Sequence, residues 1–177
     1  MKALKIGIPV ILIAASLWLV FSPPARVGYA PEQPIHYSHK LHAGELGIDC
    51  QYCHTTVAKG KKASVPSISI CMNCHTSVAT NKEEIKKLSS MWQAKKSPEW
   101  VRIHNMPDHV RFSHAPHIKA LLSEGKPSSE ACQHCHGDVT KMEVVAQVKD
   151  HNMGWCVNCH RDNKEKGANI TCSTCHY

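Results

Sequence analysis

Five copies of one short cysteine pattern constrain this chain more than any other feature. All ten of its cysteines fall in the pattern Cys-x-x-Cys-His, which reads CQYCH, CMNCH, CQHCH, CVNCH and CSTCH in chain order. A disulfide closed within such a pattern would span a loop of few residues, so it would remove little entropy from the unfolded chain. The cysteines therefore indicate five local binding sites, numbered here motif 1 to motif 5, and not a disulfide-linked fold.

The spacing within each motif is typical of the attachment of c-type haem. Two intervening residues place both thiols on one side of a short helical turn, where they can form thioethers with the two porphyrin vinyl groups, and the following histidine can bind iron. A zinc ribbon gives no reason for a histidine after each second cysteine, and a thioredoxin-like dithiol occurs once, beside a βαβ pattern. We therefore predict five haem c cofactors. The predicted attachment residues are Cys50, Cys53, Cys71, Cys74, Cys132, Cys135, Cys156, Cys159, Cys172 and Cys175, and the predicted proximal iron ligands are His54, His75, His136, His160 and His176.

The composition agrees with a core built from cofactors. Aromatic residues make up 6% of the chain, and long apolar runs are few beyond its first 22 residues. Porphyrins would supply the missing apolar area, so the chain without haem should not fold stably. The formal net charge is +7, which the haem propionates would offset. Because no arginine-rich run is present, we predict no binding to nucleic acid.

The first 22 residues predict an N-terminal membrane anchor. Lys2 and Lys5 precede an uncharged stretch over residues 6–21, which is the order of an export signal, and the flanking residues bring it near spanning length. Pro31 disfavours cleavage after Ala30, so we expect an uncleaved signal-anchor helix over residues 1–22. By the positive-inside rule, the chain would be a single-pass protein of the bacterial inner (cytoplasmic) membrane. It would contact the lipid bilayer through this helix and carry its haem region on the periplasmic side.

The rest of the chain divides into a linker and two related modules. Residues 23–35 are rich in proline and indicate an extended linker. Residues 36–97 are predicted to form a dihaem module with a connecting helix, and residues 98–177 a trihaem module. The two modules share the pattern aromatic-Ser-His-x-x-His ahead of their first haem motif, as YSHKLH and FSHAPH.

The connecting helix is expected over residues 81–96. Ile85, Leu88 and Trp92 fall on one face of such a helix, and Asn81 is the expected N-cap. The predicted fold class is a multihaem cytochrome c, with mostly short α-helices and irregular backbone wrapped around five haems, plus one N-terminal transmembrane helix.

Two histidine pairs are the predicted distal iron ligands because they recur at the same spacing behind an aromatic residue. The fifth distal ligand is either Met153 or His104, with His151, His109 and His36 as lesser candidates. A methionine ligand would give one haem of higher potential. With two protein ligands on every iron, the haems would relay electrons and would not bind substrate. The two predicted pairs are His39 with His42, and His114 with His117.

The arrangement of these histidines ahead of Cys-x-x-Cys-His resembles the small class III cytochromes c. In that family the first histidine of the pair caps the haem of the next motif, and the second caps a later one. The resemblance implies that His39 faces the haem of His54 and His114 that of His136. His42 and His117 would then reach the haems of His75 and His160.

The second module also resembles the membrane-anchored pentahaem cytochrome c subunit of alternative complex III. The resemblance is carried by IHNMPDHVRFSHAPH, CQHCHGDVTKMEVVAQV, MGWCVNCHRD and the terminal CSTCHY. It implies a non-catalytic electron-transfer subunit on the periplasmic side of a complex that oxidises menaquinol, respiratory or photosynthetic, and passes electrons towards a periplasmic carrier or an oxidase. The implied partners are an iron–sulfur protein, integral membrane quinol-binding subunits and a monohaem cytochrome c.

Two other functions compete with this one. A stand-alone membrane-anchored quinol dehydrogenase would feed a periplasmic reductase without integral partners. A multihaem reductase would need an open iron site, which the ample supply of histidines argues against.

Overall fold

Short helices joined by irregular backbone make up the part of the chain that can be described. The computed structural model describes residues 11–13, 16–17, 26–122 and 126–176. Over residues 26–122 and 126–176, the only β-type pairing is a single antiparallel bridge between Val110 and His176. The helices there are α1 (Cys50–Cys53), α2 (Ile68–His75), α3 (Glu83–Gln93), α4 (His114–Leu121), α5 (Ser128–His136), α6 (Met153–Asp162) and α7 (Cys172–Cys175), with a π-helical turn (Lys40–Glu45) and two 3-10 turns (Val139–Lys141 and Lys164–Lys166). The helical and irregular fold predicted from the sequence is confirmed.

Each haem motif lies on a helix, and side-chain caps fix where two of these helices begin. The Asp49 carboxylate accepts a hydrogen bond from the backbone N–H of Gln51 at 2.8 Å, which starts α1 directly before Cys50. The Asn152 side chain accepts from the backbone N–H of Trp155 at 2.9 Å, which starts α6. Such caps satisfy backbone donors that the first helical turn leaves unpaired. Because positions three apart lie on the same helix face, both cysteines of a motif then face the same side.

The connecting helix was predicted at nearly the observed position. Helix α3 has Lys82 as its N-cap, so the prediction of Asn81 was wrong by one residue. Glu83 and Glu84 occupy the first turn, where negative charge is favoured by the helix dipole. The helix ends before Lys95, whose φ of 56° lies in the left-handed region.

Two small clusters of apolar side chains form the protein core among the described residues. Leu88 of α3, which is 3% exposed, packs with Ile35, Ile68 and Met72, and this cluster holds α2 against α3. The second cluster joins the two predicted modules, since Val57 precedes the connecting helix and Ile118 and Ala131 follow it. Few other apolar side chains are buried, as expected for a fold whose interior is completed by cofactors.

The π-helical turn Lys40–Glu45 packs closely on the 3-10 turn Val139–Lys141. A Cβ on Gly44 would overlap the backbone oxygen of Thr140, so only glycine fits at this position without displacing the backbone. His42 lies within this π-helical turn, so the close packing fixes the position of His42 relative to the segment that follows motif 3.

The described part of the predicted linker is bound to the second module. Gly28 donates its backbone N–H to the oxygen of Gln147 at 2.7 Å, and Gln147 returns a bond to the oxygen of Tyr29 at 3.0 Å. Further along, the Gln33 side chain bonds both the N–H and the oxygen of Val101, each at 2.9 Å. This segment is therefore docked along its length, which proline content alone did not indicate.

The predicted membrane location is corrected by the structure. No helix in the described ranges is long and apolar enough to cross a membrane. The longest, α3, has 11 residues, or about 16 Å at 1.5 Å per residue, whereas a spanning helix needs about 20 apolar residues. Of the expected anchor over residues 1–22, only residues 11–13 and 16–17 are described, and the rest lies outside the described residues. The prediction of a single-pass inner-membrane protein with a periplasmic haem region is therefore withdrawn.

Candidate haem-binding sites

The thiols of the first three motifs lie next to one another. The Cys132 thiol of motif 3 hydrogen-bonds the Cys50 thiol of motif 1, which lowers the pKa of Cys50 to about 6 and raises that of Cys132. Burial raises the pKa of Cys53, and the neighbouring Cys71 of motif 2 raises it further. Motif 1 therefore stands between motifs 2 and 3.

Thiols of motifs 3, 4 and 5 also neighbour one another. Burial raises the pKa of Cys135 to about 11, and Cys159 and Cys156 of motif 4 add to this effect. Burial also raises the pKa of Cys156, with Cys175 of motif 5 as the next cause. These neighbours link motif 2 to motif 1, motif 1 to motif 3, motif 3 to motif 4 and motif 4 to motif 5, a succession that differs from the order along the chain.

Four motif histidines are oriented by the main chain. Each donates its Nδ1–H to a backbone oxygen, so its Nε2 is unprotonated and free to bind a metal. Such a bond fixes both the tautomer and the direction of the ring. The four Nδ1 to oxygen distances are 2.6 Å for His54 to Ser64, 3.1 Å for His75 to Val78, 2.7 Å for His160 to Asn169 and 3.3 Å for His176 to His109.

Three motif histidines face a second histidine at a common spacing. Two metal–nitrogen bonds of about 2 Å on opposite sides of an ion would place the two ring centroids about 6 Å apart. In all three pairs the second histidine also has its Nδ1 engaged, by the backbone oxygen of Ser38, Lys61 or Ser113. The pairs thus fit an iron atom held between two Nε2 atoms. Their centroid separations are 6.1 Å for His42 and His75, 6.4 Å for His114 and His136, and 5.9 Å for His117 and His160.

The two aromatic-Ser-His-x-x-His segments have the same local geometry. Tyr37 stacks on His42 with centroids 4.4 Å apart and meets His39 edge-on at 4.8 Å. The shared packing supports the repeat seen in the sequence. In the second segment the corresponding contacts are Phe112 to His117 at 4.8 Å and Phe112 to His114, edge-on, at 4.8 Å.

His39 lies close to His54 in a buried environment. Burial lowers the pKa of His39 to about 4, and the charge of His54 lowers it further. Its buried Nδ1 has no hydrogen-bond partner in the structure. Burial likewise lowers the pKa of His136 to about 3. These rings are therefore neutral at pH 7, which is the form that binds metal.

His176 has a close neighbour that cannot be its distal partner. The His109 ring lies 5.5 Å from the His176 ring, while the His109 carbonyl holds Nδ1 of His176. Because Nδ1 and Nε2 point to opposite sides of an imidazole, the His109 backbone stands behind the iron-binding side. Its own ring cannot reach a position about 6 Å away on the other side. Nothing in the sequence indicated that the His109 backbone oxygen would accept a hydrogen bond from His176.

The two residues predicted for the fifth distal position have different surroundings. Met153 is 66% exposed and precedes Cys156 by three positions on α6, so both lie on the same helix face. Cys156 has Cys175 of motif 5 as an electrostatic neighbour. His104 instead contacts His136 of motif 3, with 4.4 Å between ring centroids.

A cleft beside motif 4 has a basic lining. It is bordered by His160, Arg161 and Lys164 together with residues 167–170. Cations at this position would be placed to pair with haem propionates, the role that the sequence predicts for the net positive charge.

Comparison with known families agrees with this geometry. Residues 20–106 match the model of the class III cytochrome c family, and residues 110–177 match that of cytochrome c7 and related cytochromes c. Both matches support a multihaem cytochrome c fold. A relative from Nitratidesulfovibrio vulgaris (strain Hildenborough), the "Menaquinone reductase, multiheme cytochrome c subunit", is 29% identical over 187 residues, covering 97% of this chain and 87% of the relative. The matches therefore support an electron-transfer role.

Proposed function

We propose that this multihaem cytochrome c carries five covalently attached haem c groups and relays electrons within a complex that exchanges them with menaquinone. The observation that carries the proposal is the set of three histidine pairs, whose centroids lie 5.9 to 6.4 Å apart with every Nδ1 engaged elsewhere. A bound haem supplies a reversible one-electron change at iron. The protein supplies attachment, orientation and exclusion of water.

Each haem would be held by one motif and one distal residue. The cysteines of the motif would form the thioethers, and the motif histidine would bind the iron through Nε2. The proposed pairs are His54 with His39, His75 with His42, His136 with His114 and His160 with His117. For His176 we propose Met153, because it lies three positions before Cys156 on α6, and Cys156 neighbours Cys175 of motif 5. Each iron would then have two protein ligands, which favours electron relay over substrate binding.

The motif order implies a single row with two ends. Since motifs 2, 1, 3, 4 and 5 adjoin in that order, electrons would enter at one terminal motif and leave at the other. Motif 1 and motif 3 make the junction between the modules, where Ser128 also bonds Asp49 at 2.8 Å. Donor and acceptor proteins would thus dock at motif 2 and motif 5, on different modules.

Haem content tests the proposed cofactors directly. The intact purified protein should have the mass of the chain plus five haems, with one iron per motif and no zinc. Electron paramagnetic resonance of the oxidised protein should show low-spin signals alone. Zinc in place of iron, or a mass equal to that of the bare chain, would refute the proposal.

Purification from native membranes tests the proposed complex. By its resemblance to the subunit of alternative complex III, the tagged full chain should copurify with an iron–sulfur protein, integral quinol-binding subunits and a monohaem cytochrome c, and the isolated chain should not oxidise menaquinol. Menaquinol oxidation by the isolated chain would favour the stand-alone dehydrogenase instead. Cyanide binding to the native protein would indicate an open iron and a reductase.

A further inference from the structure

Motif 3 differs from the other motifs in the atom that orients its histidine. The Nδ1 of His136 lies 3.3 Å from Nε2 of His104, a side-chain nitrogen. In the other four motifs the corresponding partner is a backbone oxygen. A backbone oxygen stays in place whatever residue carries it, whereas the partner of His136 depends on one side chain.

The tautomers at this contact follow from the surrounding bonds. His136 faces His114 across a centroid separation of 6.4 Å, and in the proposed function its Nε2 binds the iron between them. Its Nδ1 therefore carries the proton and donates to His104, whose Nε2 accepts. His104 is half-buried, and His151 lies beside both rings, with its centroid 5.5 Å from that of His104 and 6.1 Å from that of His136. The ring is thus held in place as an acceptor.

The acceptor changes the electronic character of the ligand. A histidine that donates its second N–H to a good acceptor becomes a more basic ligand, which stabilises the more highly charged oxidised iron. An imidazole nitrogen is a more basic acceptor than a peptide oxygen, so the ligand at motif 3 would donate more electron density than the ligands held by the main chain.

We propose that His104 is a positioning residue for His136, which sets the potential of the haem at motif 3 without touching that haem's iron. The proposal rests on haem attachment at motif 3, which is part of the proposed function. It assigns His104 a role different from the distal ligation considered from the sequence. The geometry excludes His104 as the ligand opposite His136, because the 4.4 Å between their centroids leaves no room for two metal–nitrogen bonds of about 2 Å.

Substitution of His104 gives the first test, with the purified holoprotein titrated optically against potential. His104→Leu removes the acceptor, and we expect one of the five midpoint potentials to rise while all haems stay low-spin. Loss of an outer hydrogen-bond partner of a metal ligand commonly lowers metal affinity or activity by about tenfold or more. If the ratio of oxidised to reduced haem changes by the same factor, the midpoint potential shifts by about 59 mV for one electron. His104→Asn offers a side-chain oxygen as acceptor and should restore most of the shift. His36→Leu, which removes an imidazole outside the motifs whose side chain is 68% exposed, is the matched control and should leave the potentials unchanged.

Several outcomes would overturn the proposal. A high-spin haem in His104→Leu would make His104 an axial ligand, and unchanged potentials would remove its influence. A haem count below five in the unsubstituted protein would instead count against the proposed function, so the two failures are distinguishable.

A second test uses the native protein and needs no variant. Low-spin ferrous haem is diamagnetic, so the fully reduced protein labelled with nitrogen-15 histidine can be studied by nuclear magnetic resonance. We expect a scalar coupling across the hydrogen bond from His136 Nδ1 to His104 Nε2. No motif histidine that donates to a backbone oxygen can show such a nitrogen–nitrogen coupling. Its absence at His136 would overturn the proposal.

Discussion

Met153→Leu separates ligation from folding more cleanly than any other substitution in the chain. Met153 is 66% exposed, and leucine has a similar volume, so the change should alter the free energy of unfolding by less than about 0.5 kcal/mol. If the Met153 sulfur binds the iron held by His176, its loss leaves that one iron, of five, without a distal ligand. One fifth of the haem should therefore change from low-spin to high-spin, with little effect on stability.

The assay is absorption spectroscopy of the purified, oxidised protein. The methionine–iron charge-transfer band in the far red should be present in the unsubstituted protein and lost in Met153→Leu. The single haem of highest midpoint potential should fall in potential, since methionine ligation raises it. Val65→Leu, at a position 58% exposed, is a suitable control. An unchanged far-red band, or no such band in the unsubstituted protein, would show that Met153 is not a ligand.

Three further predictions concern the fold. Leu88→Ala, at a position 3% exposed, should lower the free energy of unfolding by about 2–5 kcal/mol, as measured by denaturant titration of the holoprotein. An effect no larger than that of the control Val65→Ala would contradict the assignment of Leu88 to the core. Gly44→Ala should lower the free energy of unfolding by about 1–3 kcal/mol because the added Cβ meets the Thr140 oxygen. Gly60→Ala, whose added Cβ makes only an ordinary contact at 3.8 Å, should be tolerated. Equal unfolding midpoints for the two variants would refute the close approach at Gly44. The pKa of His39 and His104 is lowered from 6.5 to about 4 by burial, so the unfolded chain takes up protons first as the pH falls. Stability should be full above pH 6.5 and decline towards pH 4, and a flat profile of unfolding midpoint over that window would contradict their burial.

The sequence predicted the helical character of the motifs and the placement of several histidines because both depend on local spacing. A Cys-x-x-Cys-His segment needs one helical turn, and the structure places a helix at each. The recurrence of YSHKLH as FSHAPH led to two segments with the same ring contacts around Tyr37 and Phe112. Whether these histidines bind iron stays a prediction.

The partners of the ring nitrogens could not be predicted from the sequence. Ser64, Asn169 and His109 act through backbone oxygens, which every residue possesses, so no residue type marks them. The contact between His104 and His136 joins positions 32 residues apart and depends on how the second module folds on itself. The N-terminal anchor was inferred from hydropathy alone and is corrected by the absence of a spanning helix in the described ranges.

The pairing of Gly28 and Tyr29 with Gln147 has a mechanical consequence. These reciprocal bonds close residues 29–147 into a non-covalent ring, with motifs 1, 2 and 3 inside it. A pulling force applied to the chain before Arg26 would therefore act on the second module first. The two hydrogen bonds to Gln147 would have to break before the force reached motif 1.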